Sequence, residues 1–208
     1  SDGPRVFYYP DGKILAKDNY IRGFADGPYK AYGPSGLLNT DGQFQHGDRT
    51  GTWKYYNFDG KLQHTVEYKF NKMDGKETWY YKNGRPESQT QYKEDIHDGA
   101  YKSFDPDGAL LYQVNFKDDH PISYSYRDKK DSLIPAIPLT GWSGKIKAYF
   151  SNGNVSAELE YKDGVLDGAY KLYYTTSLSM GDAEEQRQVL KSIVRFGTNS
   201  ENIVSSKV

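Results

Sequence analysis

Apolar and polar residues alternate along this chain in short runs of strand length, and the runs come in pairs. The stretch from Gly51 to Gly75, GTWKYYNFDGKLQHTVEYKFNKMDG, shows the pattern. Trp53, Tyr55 and Tyr56 mark a first strand, Asp59-Gly60 a turn, and Leu62, Val66 and Tyr68 a second strand that leads to Asp74-Gly75. Alternation of period two around Asp-Gly or Asn-Gly is a hairpin signal. The unit then recurs. Leading glycines fall at 3, 27, 51, 75 and 99, and again at 144 and 168, in steps of 24. A turn glycine follows nine residues on, at Gly12, Gly36, Gly60, Gly84, Gly108 and Gly153, and eight residues later an aromatic, from Tyr20 and Phe44 to Tyr161. Self-similarity at such a period is the mark of a repeat architecture.

The pattern predicts an all-β fold: an elongated, single-layer antiparallel meander of about eight β-hairpin repeats. Sixteen strands at ~4.8 Å spacing would span roughly 75 Å. We expect residues 1–208 to form one repeat domain, with units starting near 3, 27, 51, 75, 99, 144 and 168 and a polar tail over 198–208. Between Gly99 and Gly144 the step is 45, which leaves room for one degenerate unit starting near 123. Ile122, Tyr124 and Tyr126 alternate like a strand, Asp128 to Asp131 is turn-like, and Leu133 to Leu139 is a second apolar run. Pro135 and Pro138 remove backbone donors from that run, so it is a weak or bulged partner. In the last unit a long polar loop, Thr175 to Gln186, precedes a return strand from Val189 to Phe196.

Within a unit the fifth residue after the leading glycine is always aromatic: Tyr8, Tyr32, Tyr56, Tyr80, Phe104, Tyr149 and Tyr173. For Tyr56 to share a face with Leu62 the two must pair directly, which requires the three-residue loop Phe58-Asp59-Gly60 with a glycine bulge. Extended by plain alternation, this register places Tyr56, Tyr80, Val66 and Tyr68 on the more buried face. The opposite face then carries Tyr29, Trp53, Tyr55, Trp79 and Tyr101 among long polar side chains such as Lys61, Gln63, Glu67 and Gln91. Two readings of that aromatic stripe stand: cross-strand packing beneath polar stems, or a binding surface. Tyr29, Trp53, Tyr55, Trp79 and Tyr101 are therefore the candidate binding residues, with Trp142 added from the degenerate stretch Tyr124 to Trp142.

Composition narrows the function. The balance of 27 basic against 28 acidic residues shows no basic surplus, so no nucleic-acid partner is expected. With no cysteine there is no disulfide, thiolate metal site or cysteine nucleophile. No apolar run reaches the ~20 residues of a membrane helix. The chain opens at Ser1 without Met, and we expect a leader or upstream segment to have been removed. His46, His64, His97 and His120 fall at different repeat positions without ligand-like spacing. Asp105-Pro106-Asp107-Gly108 resembles a calcium loop, but Phe116 stands where the bidentate glutamate belongs. Asn154-Val155-Ser156 matches the glycosylation tripeptide beside a tight turn. No phosphate-binding glycine loop or nucleophile elbow is present, and no cofactor or metal is expected.

The unit G-x-W-x-Y-Y-x-x-D-G-K-L…Y-K…D-G resembles the MORN repeat, in the variant common in bacterial proteins, over roughly Gly3 to Phe196. Some bacterial members carry the family label of a toxin–antitoxin antitoxin. The resemblance implies a scaffold, since catalysis in such proteins comes from a separate domain. The expected function is therefore a non-catalytic repeat scaffold binding a protein partner through an extended aromatic-rich face, with an antitoxin- or immunity-like role as one form of it. The alternative is a module that binds a glycan or lipid surface. A bacterial cell-envelope or secreted location is expected ahead of the cytoplasm, and the oligomeric state is left open.

Overall fold

The computed structural model describes residues 2–128, 130, 132–150 and 152–173. The loop expected at Thr175 to Gln186, the return strand Val189 to Phe196 and the tail from Thr198 lie outside the described residues. The described residues form two compact units, 2–97 with the turn tip 106–108, and 98–105 with those from 109 to 173.

In the first unit, strands β1 (Gly3–Tyr8), β2 (Ile14–Ile21), β4 (Gly27–Tyr32), β5 (Leu38–Gln45), β6 (Asp48–Tyr56), β7 (Leu62–Lys69), β8 (Lys72–Tyr80) and β9 (Pro86–Lys93) lie side by side in chain order, all antiparallel. The two-residue β3 (Phe24–Ala25) folds back on β2. This is the all-β, antiparallel hairpin repeat that the period implies.

The expected loop is observed. Asn57 N donates to Lys61 O at 2.9 Å and Gly60 N to Asn57 O at 2.9 Å, with Gly60 at φ +81°. Tyr56 pairs directly with Leu62. The next pair is Tyr55 with His64, so Gln63 is an extra residue, a β-bulge. From there Trp53 lies opposite Val66 and Gly51 opposite Tyr68. Directly opposed residues share a face. Tyr56 and Leu62 therefore occupy one face, while Trp53, Tyr55, His64, Val66 and Tyr68 occupy the other. The same bulge recurs at Leu15, Asn39, Glu87, Leu111 and Ser156.

This corrects the face assignment. Plain alternation grouped Val66 and Tyr68 with Tyr56, but the bulge reverses the second strand after Leu62. Trp53 is 4 % exposed, whereas Tyr56 is only half-buried, the opposite of the expected order. Trp79 and Tyr80 are both half-buried.

Successive hairpins are joined by tight two-residue turns in which both residues have positive φ. Phe70-Asn71, Glu94-Asp95 and Asp118-Asp119 do this without glycine. Neighbouring turns are tied together: Asn71 Oδ1 accepts from Arg49 N at 2.8 Å, and Asp95 Oδ1 from Met73 N at 2.7 Å. The leading glycine is needed because a Cβ on Gly75, at φ +130°, would lie 2.8 Å from Glu67 Cβ. Glu67 instead folds over that glycine and accepts from Lys76 N at 2.8 Å.

The second unit has two sheets. Most of β10 (Ile96–Phe104), with β11 (Leu110–Lys117), β12 (His120–Tyr126) and the two-residue β13 (Ile137–Pro138), forms one; β14 (Gly144–Tyr149), β15 (Val155–Lys162) and β16 (Val165–Leu172) form the other. The degenerate stretch is a hairpin with a truncated return strand. Asp128 N donates to Ser132 O at 2.9 Å to close its turn, Leu133 bridges Arg127, Ile134 N donates to Tyr126 O at 2.8 Å, and the regular pairing with β12 is limited to Ile137 and Pro138. Leu139 N makes a last bond to Ile122 O at 2.9 Å, Pro135 and Pro138 leave gaps in the donors before it, and a 3₁₀ turn at Thr140–Trp142 redirects the chain. The single continuous layer expected from the repeat is thus interrupted, and the two sheets of this unit pack together over Val114, Ile146, Ala148, Ala157 and Leu159. Ala148 and Ala157, directly opposed on β14 and β15, are completely buried.

Candidate aromatic interaction face

Trp53 organises its side of the first unit. Its indole is stacked on Tyr29 (centroids 5.6 Å apart, planes at 28°) and meets Phe44 and Tyr68 edge-on at 5.0 and 6.2 Å. The Arg49 guanidinium lies 4.0 Å over the Tyr68 ring and 5.9 Å from Trp53, within cation–π range of both. Beneath the indole lies Gly42, whose missing side chain makes the approach possible: a Cβ there would stand 2.4 Å from Trp53 Cδ2. Trp53 Nε1 is buried without a hydrogen-bond partner, so ring packing alone sets the position of this side chain. Burial, the first cause, and the neighbouring Tyr55 push the Tyr68 hydroxyl up to about 12.

A second row runs parallel to the first. His64 sits between Tyr55 (5.2 Å, 25°) and Trp79 (4.0 Å, 19°), so the three rings are stacked across β6, β7 and β8. Its Nε2 is 2.7 Å from Glu77 Oε1, and both side chains are about 15 % exposed, at 15 % and 14 %. A histidine–carboxylate pair is an ingredient of acid–base chemistry. Here the imidazole has both faces covered by rings and one nitrogen engaged, which makes it a packing element. Among the described residues no group of three or more His, Cys, Asp or Glu side chains is arranged to hold a metal. No helix among them is long and apolar enough to cross a membrane.

The structure thus brings Tyr29, Trp53, Tyr55 and Trp79 together on one face. Tyr29, Tyr55 and Trp79 are partly buried, while Trp53 is the buried pivot. Tyr101 belongs to the second unit, where it lies 5.9 Å from Tyr112 beside the buried cluster. Trp142 is also in the second unit, 46 % exposed and 4.0 Å from the His120 ring. Arg49 and His64 are members of the face that the alternation pattern missed, whereas Glu77, two residues before Trp79, is in phase with it. The signal for His64 was the bulge, which aligns it with Tyr55.

The class of protein follows from the repeat register, the recurrent bulge and the paired turns: a β-hairpin repeat scaffold with one aromatic-rich face. The MORN repeat variant model matches residues 1–22, 49–70, 73–94, 98–118 and 142–163, more than half of the chain, and the chain belongs to that family. No curated protein matches the chain. The repeat fold and the lack of a metal-type cluster among the described residues are consistent with a non-enzymatic scaffold.

Proposed function

We propose that this protein is a non-catalytic scaffold that binds a protein partner through the Trp53 face of its first unit. One observation carries the reading. In the second unit the same repeat positions are buried beneath another sheet, with Ile146 at 1 % exposure where the first unit has Trp53, and Ala148 and Ala157 at 0 % where it has Tyr55 and His64. In the middle hairpins of the first unit these positions hold the rings of Tyr29, Trp53, Tyr55, His64 and Trp79, and the described residues of that unit form a single layer. A contiguous cluster of partly accessible rings that no second sheet of the described residues covers is the ordinary mark of a contact site, and Trp and Tyr dominate binding hot spots.

The ring geometry limits the glycan reading: His64 has both faces covered, and Tyr55 and Trp79 each use one face on it, whereas a sugar stacks on a free ring face. The balanced charge weighs against an anionic lipid surface. An antitoxin- or immunity-like role, with a toxin as partner, is a special form of this proposal and is supported by the family resemblance alone.

The test is affinity capture with three baits: wild type, Trp79→Lys, and Lys54→Glu, which alters the opposite face. The expected result is a protein retained by wild type and Lys54→Glu and lost with Trp79→Lys, at unchanged circular dichroism. Equal capture by all three baits, or a glycan that binds in a Trp79-dependent way, overturns the proposal.

A further inference from the structure

The face opposite Trp53 carries a ladder of its own. In the first unit Tyr8, Tyr32, Tyr56 and Tyr80 recur every 24 residues, each near the end of the first strand of its hairpin. Each is directly opposed to an apolar residue of the second strand: Ile14, Leu38, Leu62 and Pro86. Rings and smaller apolar side chains therefore alternate along one line across the strands. Tyr8 is 60 % exposed and the other three tyrosines are partly buried, so the line is accessible to a ligand. Beside it, two residues along each strand and on the same face, runs a row of charges in direct register: Lys17 with Lys30, Lys30 with Asp41, and Asp41 with Lys54. Three lysines stand against one aspartate in that row. At the loop edge the charges balance, since Lys13 and Lys61 pair with Asp11 and Asp59 of their own turns.

The spacing of the rungs selects the ligand. One hairpin advances the line by two strands, ~9.6 Å. A polyproline II segment brings every third residue back to the same side after ~9.3 Å. Over the three steps from Tyr8 to Tyr80 the two periods part by about 1 Å. An α-helix repeats its contact side every seven residues, ~10.5 Å, and parts by about 3 Å over the same steps. An extended strand returns to one side every ~6.7 Å and is out of step at the first rung. We propose that this face binds a proline-rich segment of another protein in the polyproline II conformation, with acidic residues turned toward the lysine row. Prolines three apart enter the gaps between successive tyrosine rings, the mode in which aromatic-lined grooves take such segments. The segment's carbonyls make no internal hydrogen bonds and can accept from the tyrosine hydroxyls. Its carboxylates answer the surplus charge of Lys17, Lys30 and Lys54. The site lies on the other side of the sheet from the Trp53 face and does not depend on the function proposed for it.

The experiment titrates the intact chain into three fluorescein-labelled peptides and follows fluorescence polarisation. One peptide is four Pro-Pro-Glu triplets; the second is four Pro-Pro-Lys triplets; the third is four Ala-Ala-Glu triplets, with the same charge but no polyproline conformation. The expected result is that the Pro-Pro-Glu peptide binds at least about tenfold more tightly than either other. Tyr32→Leu and Lys17→Glu should each weaken it by about fivefold or more, as contacts at the centre of a site do. Lys69→Glu makes the same change of charge beside the Phe70-Asn71 turn, at the other end of β7, and should leave binding as it is. Circular dichroism checks that Tyr32→Leu is folded; Lys17 is exposed, so its exchange tests the site even if Tyr32→Leu is not. The inference is overturned if the Pro-Pro-Glu peptide does not bind, if the Ala-Ala-Glu peptide binds equally well, if Lys17→Glu and Lys69→Glu act alike, or if binding is lost with Trp79→Lys. The first three of these failures leave the proposed function standing, because capture of its partner is read through Trp79→Lys on the opposite face.

Discussion

Replacing Gly42 by alanine tests the packing of the aromatic face most directly, because two opposing effects meet at one methyl group. Gly42 lies within β5 and its backbone is not in the left-handed region, so alanine meets no φ strain there. In an open strand the exchange would stabilise by roughly 0.5–1 kcal/mol, through the entropy glycine loses on folding. The new Cβ would however stand 2.4, 2.5 and 2.7 Å from Cδ2, Cε2 and Cε3 of Trp53. Carbon atoms prefer about 3.5–4.0 Å, so the indole must retreat by about 1 Å or more. Tyr29, Phe44 and Tyr68 hold the ring on its other sides. Overpacking of this kind costs about 1–3 kcal/mol, which outweighs the entropic gain and leaves a net loss of about 1–2 kcal/mol. In a Trp53→Ala background the obstacle is absent, and Gly42→Ala should then stabilise by about 0.5–1 kcal/mol. The sign therefore reverses, with a coupling of about 1.5–3 kcal/mol in a double-mutant cycle. Urea unfolding followed by circular dichroism measures all four proteins without relying on the tryptophan. If Gly42→Ala is neutral in the wild type, or equally damaging in both backgrounds, Trp53 does not rest on Gly42 and the face is packed differently.

Other outcomes follow from the same geometry. Trp53→Ala should destabilise by about 3–5 kcal/mol, and Tyr56→Ala by less, which thermal or urea unfolding will rank. Phe70, 68 % exposed at φ +51° in the first position of its two-residue turn, should gain stability as Phe70→Asn, by about 0.5–1 kcal/mol in the same assay. Glu158 is held below the usual carboxylate range, first by its hydrogen bond with Lys147 at 2.8 Å and further by Tyr173. Its contribution is present above its unfolded value of about 4.3 and is lost as pH falls through the lower folded value, so Glu158→Gln should weaken the acid-side fall in melting temperature. Burial raises the Tyr68 hydroxyl to about 12, so the unfolded chain releases that proton first as pH rises past about 10. Stability should decline over that range, and Tyr68→Phe should reduce the decline.

The hairpin period, the three-residue loop and the Tyr56–Leu62 pair were all legible in the sequence, because each rests on local chemistry. Glycine is favoured where φ turns positive, Asp-Gly makes the turn, and an aromatic five residues after the leading glycine meets an aliphatic residue across a loop of known length. The resemblance to the MORN repeat was carried by the same residues, and the family model shows the membership. What alternation could not show was the bulge at Gln63. Its equivalents are Leu15, Asn39, Glu87, Leu111 and Ser156, which share no side-chain property. One extra residue without a signature is enough to turn every later side chain of the strand to the other face. That single step joined His64, Val66 and Tyr68 to the face of Trp53 and made an expected exposed ring a buried pivot. The second sheet was equally illegible. Pro135 and Pro138 announced that pairing would weaken, but only the packed structure shows that Ala148 and Ala157 make room for a facing layer, because fit between surfaces distant in the chain leaves no local period to read.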